Sequence, residues 1–351
     1  MIKFNNSNIN DWYFYTSDIV KVYRNNAVCY YKIATTPEPQ YRTISGETYC
    51  SGQTGYDKYV DVFSQVSYDG GSIWETTATT STLVEANSPD CGYIKNYLRF
   101  VSRGTGTFTF FANRSYSGNT LSYSLDSGST WTQLGNGVNS PTVASGDVIM
   151  WKGTNHTLYE GGIGTFSSTT QFDIEGNIMS LHYGDNFENS VNLTGKDYAF
   201  MNLFSGCTTV INADKLELPA TTLSQNCYTN LFNRASNLVS PPSLTAATTL
   251  AVGCYFNMFY CYPSSSSLIV SESYFLPATT LVQDCYRQMF YGRSGFNKIT
   301  CLATSGINTN NSTNNWLTNT ASSGTFTRAP GVSWPTGNNG RKNWTLVDYS
   351  G

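Results

Sequence analysis

The chain has 351 residues, 40% hydrophobic and only 12% charged, with a net charge of −3 and its lysines and arginines scattered. No basic stripe is present to neutralise phosphates, which disfavours a nucleic-acid partner, and no apolar run reaches the roughly 18–20 residues of a membrane span. Few helix formers, abundant Ser, Thr, Asn and Gly, and 25 tyrosines predict a mainly β, multidomain protein.

The opening MIKFNNSNINDWYF lacks an apolar h-region, so synthesis without a cleaved signal peptide is expected. Residues 1–35 carry Trp12, Tyr13, Tyr15, Val22, Tyr23 and Tyr30, more apolar surface than a free tail tolerates and too little chain for a core. Two arrangements satisfy this: binding to sister chains or a larger particle, or folding back onto the β-sandwich that follows as an extra strand or two. Residues 36–94 read as a small β module and 95–184 as a β-sandwich. The latter shows alternating segments YLRFV (97–101), GTFTFFA (106–112), LSYSL (121–125), TWTQL (130–134), DVIMWK (147–152) and QFDIEGNIMSLHYG (171–184).

Both modules contain the phrase S-x-D-x-G-x-x-W, as SYDGGSIW (67–74) and SLDSGSTW (124–131). Asp69 and Asp126 are placed to accept bonds from turn amides, with Trp74 and Trp131 packing beneath as turn staples. The phrase also matches the Asp-box of sialidases. Two boxes do not make a propeller, and Arg99, Arg103 and Arg114 sit in no recognisable catalytic frame, so a glycoside hydrolase of Asp-box type is a remote alternative. Asp173, Glu175, Asp185 and Glu188 cluster in sequence; solvated turn acids are expected there, with calcium as the alternative.

The C-terminal half repeats itself. LPATTLSQNCYTNLF (218–232) returns as LPATTLVQDCYRQMF (276–290), with LTAATTLAVGCYFNMF (244–259) between them. Phe204, Phe232, Phe259 and Phe290 are spaced 28, 27 and 31 residues apart, a solenoid period. In each unit Cys and Leu/Met, then Tyr and Phe, lie four apart, which predicts a short helix after an extended Ala-Thr-Thr-Leu piece. The expected core is Leu223, Cys227, Leu231 and Phe232; Leu250, Cys254, Met258 and Phe259; Leu281, Cys285, Met289 and Phe290. These units fill 185–303, and 304–351, with Trp316, Phe326, Trp334 and Trp344, forms an ordered cap; at most one of these tryptophans is expected on the surface, where it could stack on a sugar. The nine cysteines are an odd set, recur once per repeat, and are expected reduced as small apolar fillers. With no CxxC and only His156 and His182, neither a metal site nor a cofactor is expected, and no nucleophile or tuned acid–base pair stands out.

The repeat phrase resembles leucine-rich repeats of the BspA-like type over about 197–303. The segments NSNINDWYF…DIVKVYRNNAVCYYKI (6–33), YDKYVDVFSQVSYDGGSIWETT…LVEANSPDCGY (56–93) and GTFTF…LSYSLDSGSTW…DVIMWK…GIGTFSST…GNIMSLHYGDNF (106–187) resemble modules of virion fibre proteins of Bacteroides-infecting, crAss-like tailed phages. The resemblance implies a non-enzymatic head or tail fibre, located in the virion. Residues 1–35 would anchor it to capsid or tail proteins, the chain would form a homotrimer, and the repeat tip would bind a host-cell glycan or surface protein. A passive decoration fibre without a receptor, and a bacterial adhesin, are the alternatives.

Overall fold

A computed structural model describes residues 39–351 except 52–56, 70, 87–93, 114–120, 155–161, 265–266 and 271, together with the backbone of three strands in the first 38 residues. The chain divides into two compact units, Met1–Ile94 and Lys95–Gly351. It is mainly β, with several sheets and one short α-helix among the described residues.

In the first unit β1 (Trp12–Thr16), β2 (Ile19–Arg24) and β3 (Ala27–Lys32) form an antiparallel meander. The expected anchor side chains Trp12, Tyr13, Tyr15, Val22, Tyr23 and Tyr30 lie outside the described residues. A second meander joins β4 (Gln40–Ser51), β5 (Asp57–Ser67) and β6 (Glu75–Glu85), with a bulge between Ser45 and Thr48. This sheet is one layer thick: β6 is exposed along its whole length, and only Val66 and Ser67, at the end of β5, are buried. Cys50 is disulfide-bonded to a partner outside the described residues, which corrects the expectation of uniformly reduced cysteines. Six buried cysteines of the second unit are free.

The second unit begins with β7 (Leu98–Ser102), β8 (Phe108–Ala112), β9 (Leu121–Ser124), β10 (Thr132–Leu134), β11 (Val148–Gly153), β12 (Gly164–Ser168) and β13 (Phe172–Asn177). The segment read as one strand over 171–184 stops at Asn177; α1 (Ser180–Tyr183) follows it. β8 and β12 pair apart from a six-stranded sheet ordered β10-β9-β11-β7-β13-β14, whose last member is β14 (Val210–Glu217). β14 lies parallel to β13, so one sheet runs from the sandwich segment into the repeats. Phe100, Phe108, Trp151, Phe166 and Phe172 fill the core, and Phe166 stacks on Phe204, the first repeat aromatic, at 5.7 Å. One hydrophobic cluster then continues to Trp344. The segments 95–184, 185–303 and 304–351, separate in the sequence reading, are thus one compact unit because they bury the same core.

The repeats stack as coils. Every expected core residue, from Leu223 to Phe290, is buried. Their rings form two ladders, one through Phe204, Phe232, Phe259 and Phe290 at 5.3–5.8 Å, the other through Phe200, Tyr228, Tyr255 and Tyr286 at 5.5–5.9 Å. The expected short helices are absent. In the second coil the N–H groups of Cys227, Thr229, Leu231 and Asn233 donate to carbonyls three residues back at 3.1–3.3 Å. Those of Tyr228, Asn230, Phe232 and Arg234 donate to Cys254, Phe256, Met258 and Tyr260 of the next coil at 2.7–2.9 Å. Alternate donors therefore leave the coil, which an α-helix does not allow. A left-handed residue every fourth position makes this possible: Asn226, Asn230 and Arg234 here, Asp284, Gln288 and Gly292 later, Asn311, Asn315 and Asn319 after that.

The last of those series marks a fifth coil. Tyr286 and Phe290 donate to Ser312 and Trp316, so Ser312, Thr313, Trp316 and Leu317 occupy the places of Cys285, Tyr286, Met289 and Phe290, all buried. Trp316 and Trp334 extend the tyrosine ladder at 6.0 and 5.6 Å. Beside them β15 (Tyr274–Leu276), β16 (Lys298–Cys301), β17 (Thr325–Arg328) and β18 (Thr345–Asp348) make a parallel sheet. Trp316, Phe326, Trp334 and Trp344 are all buried, so none is the exposed sugar platform that was the other reading.

Gln288 holds a left-handed backbone (φ 52°) without the local amide advantage of asparagine. Gln288→Asn should stabilise the second unit by about 1 kcal/mol, and β-branched Gln288→Val should destabilise it by about as much or more. Urea unfolding midpoints of the two variants check this.

Candidate binding surface

The two Asp phrases fold alike. Asp69 Oδ1 accepts from the amides of Ser72 and Ile73 (both 2.9 Å) and from the Ser67 hydroxyl (2.7 Å), while Trp74 Nε1 donates to the Gly71 carbonyl (3.0 Å). Asp126 accepts from the Thr130 amide (2.9 Å), the Thr130 hydroxyl (2.6 Å) and Ser124 (2.7 Å), and Trp131 Nε1 donates to the Gly128 carbonyl (2.9 Å). A cation covers each indole: Arg42 at 4.1 Å over Trp74, Lys152 at 4.3 Å over Trp131. The hydroxyl bond from Thr130, then that from Ser124, lowers the Asp126 carboxyl to about 2. The Ile73 amide and Ser67 lower Asp69 in the same direction. Each aspartate is thereby fixed in place by its own turn.

The clustered acids are ion-paired rather than merely solvated. Asp173 meets Arg103 (2.9 Å), Glu175 meets Arg99 and Lys215 (both 3.0 Å), Asp185 meets Lys152 (2.8 Å), and Glu188 meets Lys95 (3.4 Å). Burial raises the Asp185 carboxyl, but the bonds from Lys152 and Tyr97 outweigh it and leave the group below its ordinary value. Arg99 and Arg103 are thereby spoken for, and Arg114 lies outside the described residues. No group of three or more His, Cys, Asp or Glu able to hold a metal occurs among the described residues. His182 is buried, its Nε2 3.0 Å from the Ala199 carbonyl and its ring against Phe200, and His156 lies outside the described residues.

The open chemistry is on the strand side of the stack. β14 bridges to Ser240 of the next coil, and Ala213 donates to the Ser240 carbonyl (2.8 Å). Pro241 and Pro242 then offer no N–H, so the ladder stops. Tyr274 Oη donates to the Pro242 carbonyl (2.6 Å), and regular pairing resumes only at β15. The interruption leaves a cleft of about 380 Å³ lined by Asp214, Ser240, Ser243, Thr245, Glu272 and Phe275. Through Asp214, Ser243 and Thr245 it runs on into a second hollow of about 530 Å³ beside Arg99, Lys215 and Glu217. Hydroxyls, carboxylates and an aromatic edge on a rigid wall suit recognition of a polar ligand.

Arg293 escaped the sequence reading. It is fully buried and donates to the carbonyls of Phe259 (2.6 Å), Ala235 (3.0 Å) and Phe232 (3.4 Å), tying three coils together. Burial lowers its pKa to about 10. The available signal was register: three residues past the Phe of the first two coils stand Cys207 and Ala235, both buried, and Arg293 holds that place in the fourth. The thiols of Cys227, Cys285 and Cys301 are pushed up to about 12 by burial, so these cysteines are inert filler. No helix among the described residues is long and apolar enough to cross a membrane. No family model matches the chain, and no curated protein and no solved structure matches it either.

The Asp126 carboxyl lies near 2 folded against 3.8 unperturbed, so its stabilisation is complete above the unfolded value and is lost as pH falls through the folded one. Asp126→Ala should melt below the wild type at neutral pH, with the gap closing between about pH 4 and pH 2. Melting curves of both proteins across that range test the assignment.

Proposed function

We propose that the chain is a non-enzymatic structural protein of a tailed-phage virion, a fibre projecting from head or tail. Residues 1–35 attach it to capsid or tail proteins, and the coil stack, a short leucine-rich solenoid of BspA-like type, is the outward tip that binds a host-surface glycan or protein. The observation that carries this reading is the cleft at Pro241–Pro242. It is a polar, hydroxyl-lined recess at a break in the strand ladder, and Asp173, Asp185, Arg99, Arg103 and His182 are already engaged elsewhere.

A homotrimer is supported by the β4–β5–β6 sheet. A single layer with both faces open does not build a core by itself. Tyr41, Ile44 and Leu83, 79%, 39% and 49% exposed, stand on its faces, and among the described residues no second layer covers them. Sister chains supply that layer, and the assembled shaft carries three tips, which raises avidity for a repetitive cell surface.

Host cells incubated with the intact protein before phage addition should adsorb fewer phage. Thr245→Trp, which fills the recess shared by both hollows, should block at least about tenfold less well. An intact, correctly assembled protein that blocks nothing would make the chain a passive decoration fibre. Light scattering should give three times the 38.7 kDa chain mass; a monomer at micromolar concentration would remove the trimer.

A further inference from the structure

The stack has a second irregularity, on the turn side. The coil spacing lengthens to 31 residues between Phe259 and Phe290, and insertions in repeat arrays map to one face, often the one that binds. Three residues past the repeat aromatic, the other coils bury Cys207, Ala235, Arg293 and Thr320. In the third coil that register holds Tyr262, which is 62% exposed. Arg293 of the next coil fills the vacated interior, bonding to the carbonyls of Phe259, Ala235 and Phe232. A ring from a core register is thus turned to solvent.

Tyr262 borders a hollow of about 460 Å³ with Arg234, Ser236, Asn237 and Ser264. Arg234 is exposed, and among the described residues its guanidinium has no ion pair or side-chain hydrogen bond. The other described arginines are engaged: Arg99, Arg103, Arg287 and Arg328 with carboxylates, Arg42 with Gln65, Arg293 and Arg341 with carbonyls. Arg234 also has a left-handed backbone (φ 58°), where the equivalent residues of the first, fourth and fifth coils are Gly206, Gly292 and Asn319. A long cationic side chain at a strained position that glycine would relax suggests a role outside folding. Its amide is anchored to the Tyr260 carbonyl (2.7 Å), so the base of the side chain is fixed. Asn237 Nδ2 donates to the Thr208 carbonyl (2.9 Å), which leaves its Oδ1 to accept from a hydroxyl.

We propose that the hollow between Arg234 and Tyr262 binds a carboxylate-bearing saccharide. The guanidinium fork matches a carboxylate bidentately, the open tyrosine ring takes the apolar face of a sugar ring, and Asn237 with Ser264 meets its hydroxyls. The cellular source of that saccharide rests on the reading of the stack as a host-facing tip; the binding chemistry does not.

Calorimetric titration of the full chain tests it, without phage or cells. The probes are an oligogalacturonate, a neutral oligoglucoside of the same length and a polyglutamate peptide. The oligogalacturonate should bind, more weakly as salt rises. Arg234→Gly should weaken it at least about tenfold while leaving the melting temperature equal or higher, because it relaxes the backbone; Tyr262→Ala should also weaken it. No binding of the oligogalacturonate, equal binding of the neutral oligosaccharide, or undiminished binding by Arg234→Gly would overturn the proposal. Equal binding of polyglutamate, indifferent to Tyr262→Ala, would replace the saccharide with an acidic protein partner. Saccharide binding without any block of phage adsorption would reject the host-facing tip alone.

Discussion

The second unit depends on one arrangement of backbone hydrogen bonds. Alternate N–H groups close local turns, and the rest reach the next coil at 2.7–3.0 Å in the second and third coils. Because a buried donor without a partner is costly, no coil is stable without its neighbour, and the coils are held at the spacing of stacked rings. The aromatic ladders then bury themselves as a consequence of that spacing. Left-handed residues at every fourth position, mostly asparagine and glycine, are the local condition for the pattern, since that backbone turns each second donor outward.

Such a stack has ends, and both are closed by shared cores. At the start, Phe166 of β12 stacks on Phe204, and β13 continues into β14 as one sheet. At the finish, Trp316, Trp334 and Trp344 bury the last rungs. A cut at residue 184 would strip Phe204 of Phe100 and Phe166 and expose a core face, so the coil stack is not separable from the 95–184 segment as its own domain.

The departures from regularity carry the chemistry. Pro241–Pro242 breaks the ladder and opens a cleft; the lengthened third coil turns Tyr262 out and draws Arg293 in. Elsewhere Asp173, Glu175 and Asp185 are ion-paired, and Cys227 and Cys285 are buried thiols with raised pKa values. A uniform stack offers one repeated surface, whereas these two defects present groups found at no other level of it.

Residue order alone determined the β class, the repeat register and its buried Leu, Cys, Tyr and Phe positions, and the two S-x-D-x-G-x-x-W turns, because each is a local pattern of apolar spacing or turn chemistry. Tertiary structure decided the rest. Apolar pairs four apart suit a helix turn and a four-residue turn chain equally; the choice fell to hydrogen bonds between adjacent coils, whose partners are some two dozen residues or more apart in sequence, such as Tyr228 and Cys254. The fifth coil was hidden because Ser312, Thr313, Trp316 and Leu317 keep the shape of the repeat while changing its letters. The pairing of Glu175 with Arg99 and Lys215, the carbonyl clasp of Arg293 and the exposure of Tyr262 are likewise products of distant segments meeting. A charge or ring is assigned its role by whatever faces it, and that neighbour is supplied only when the coils stack.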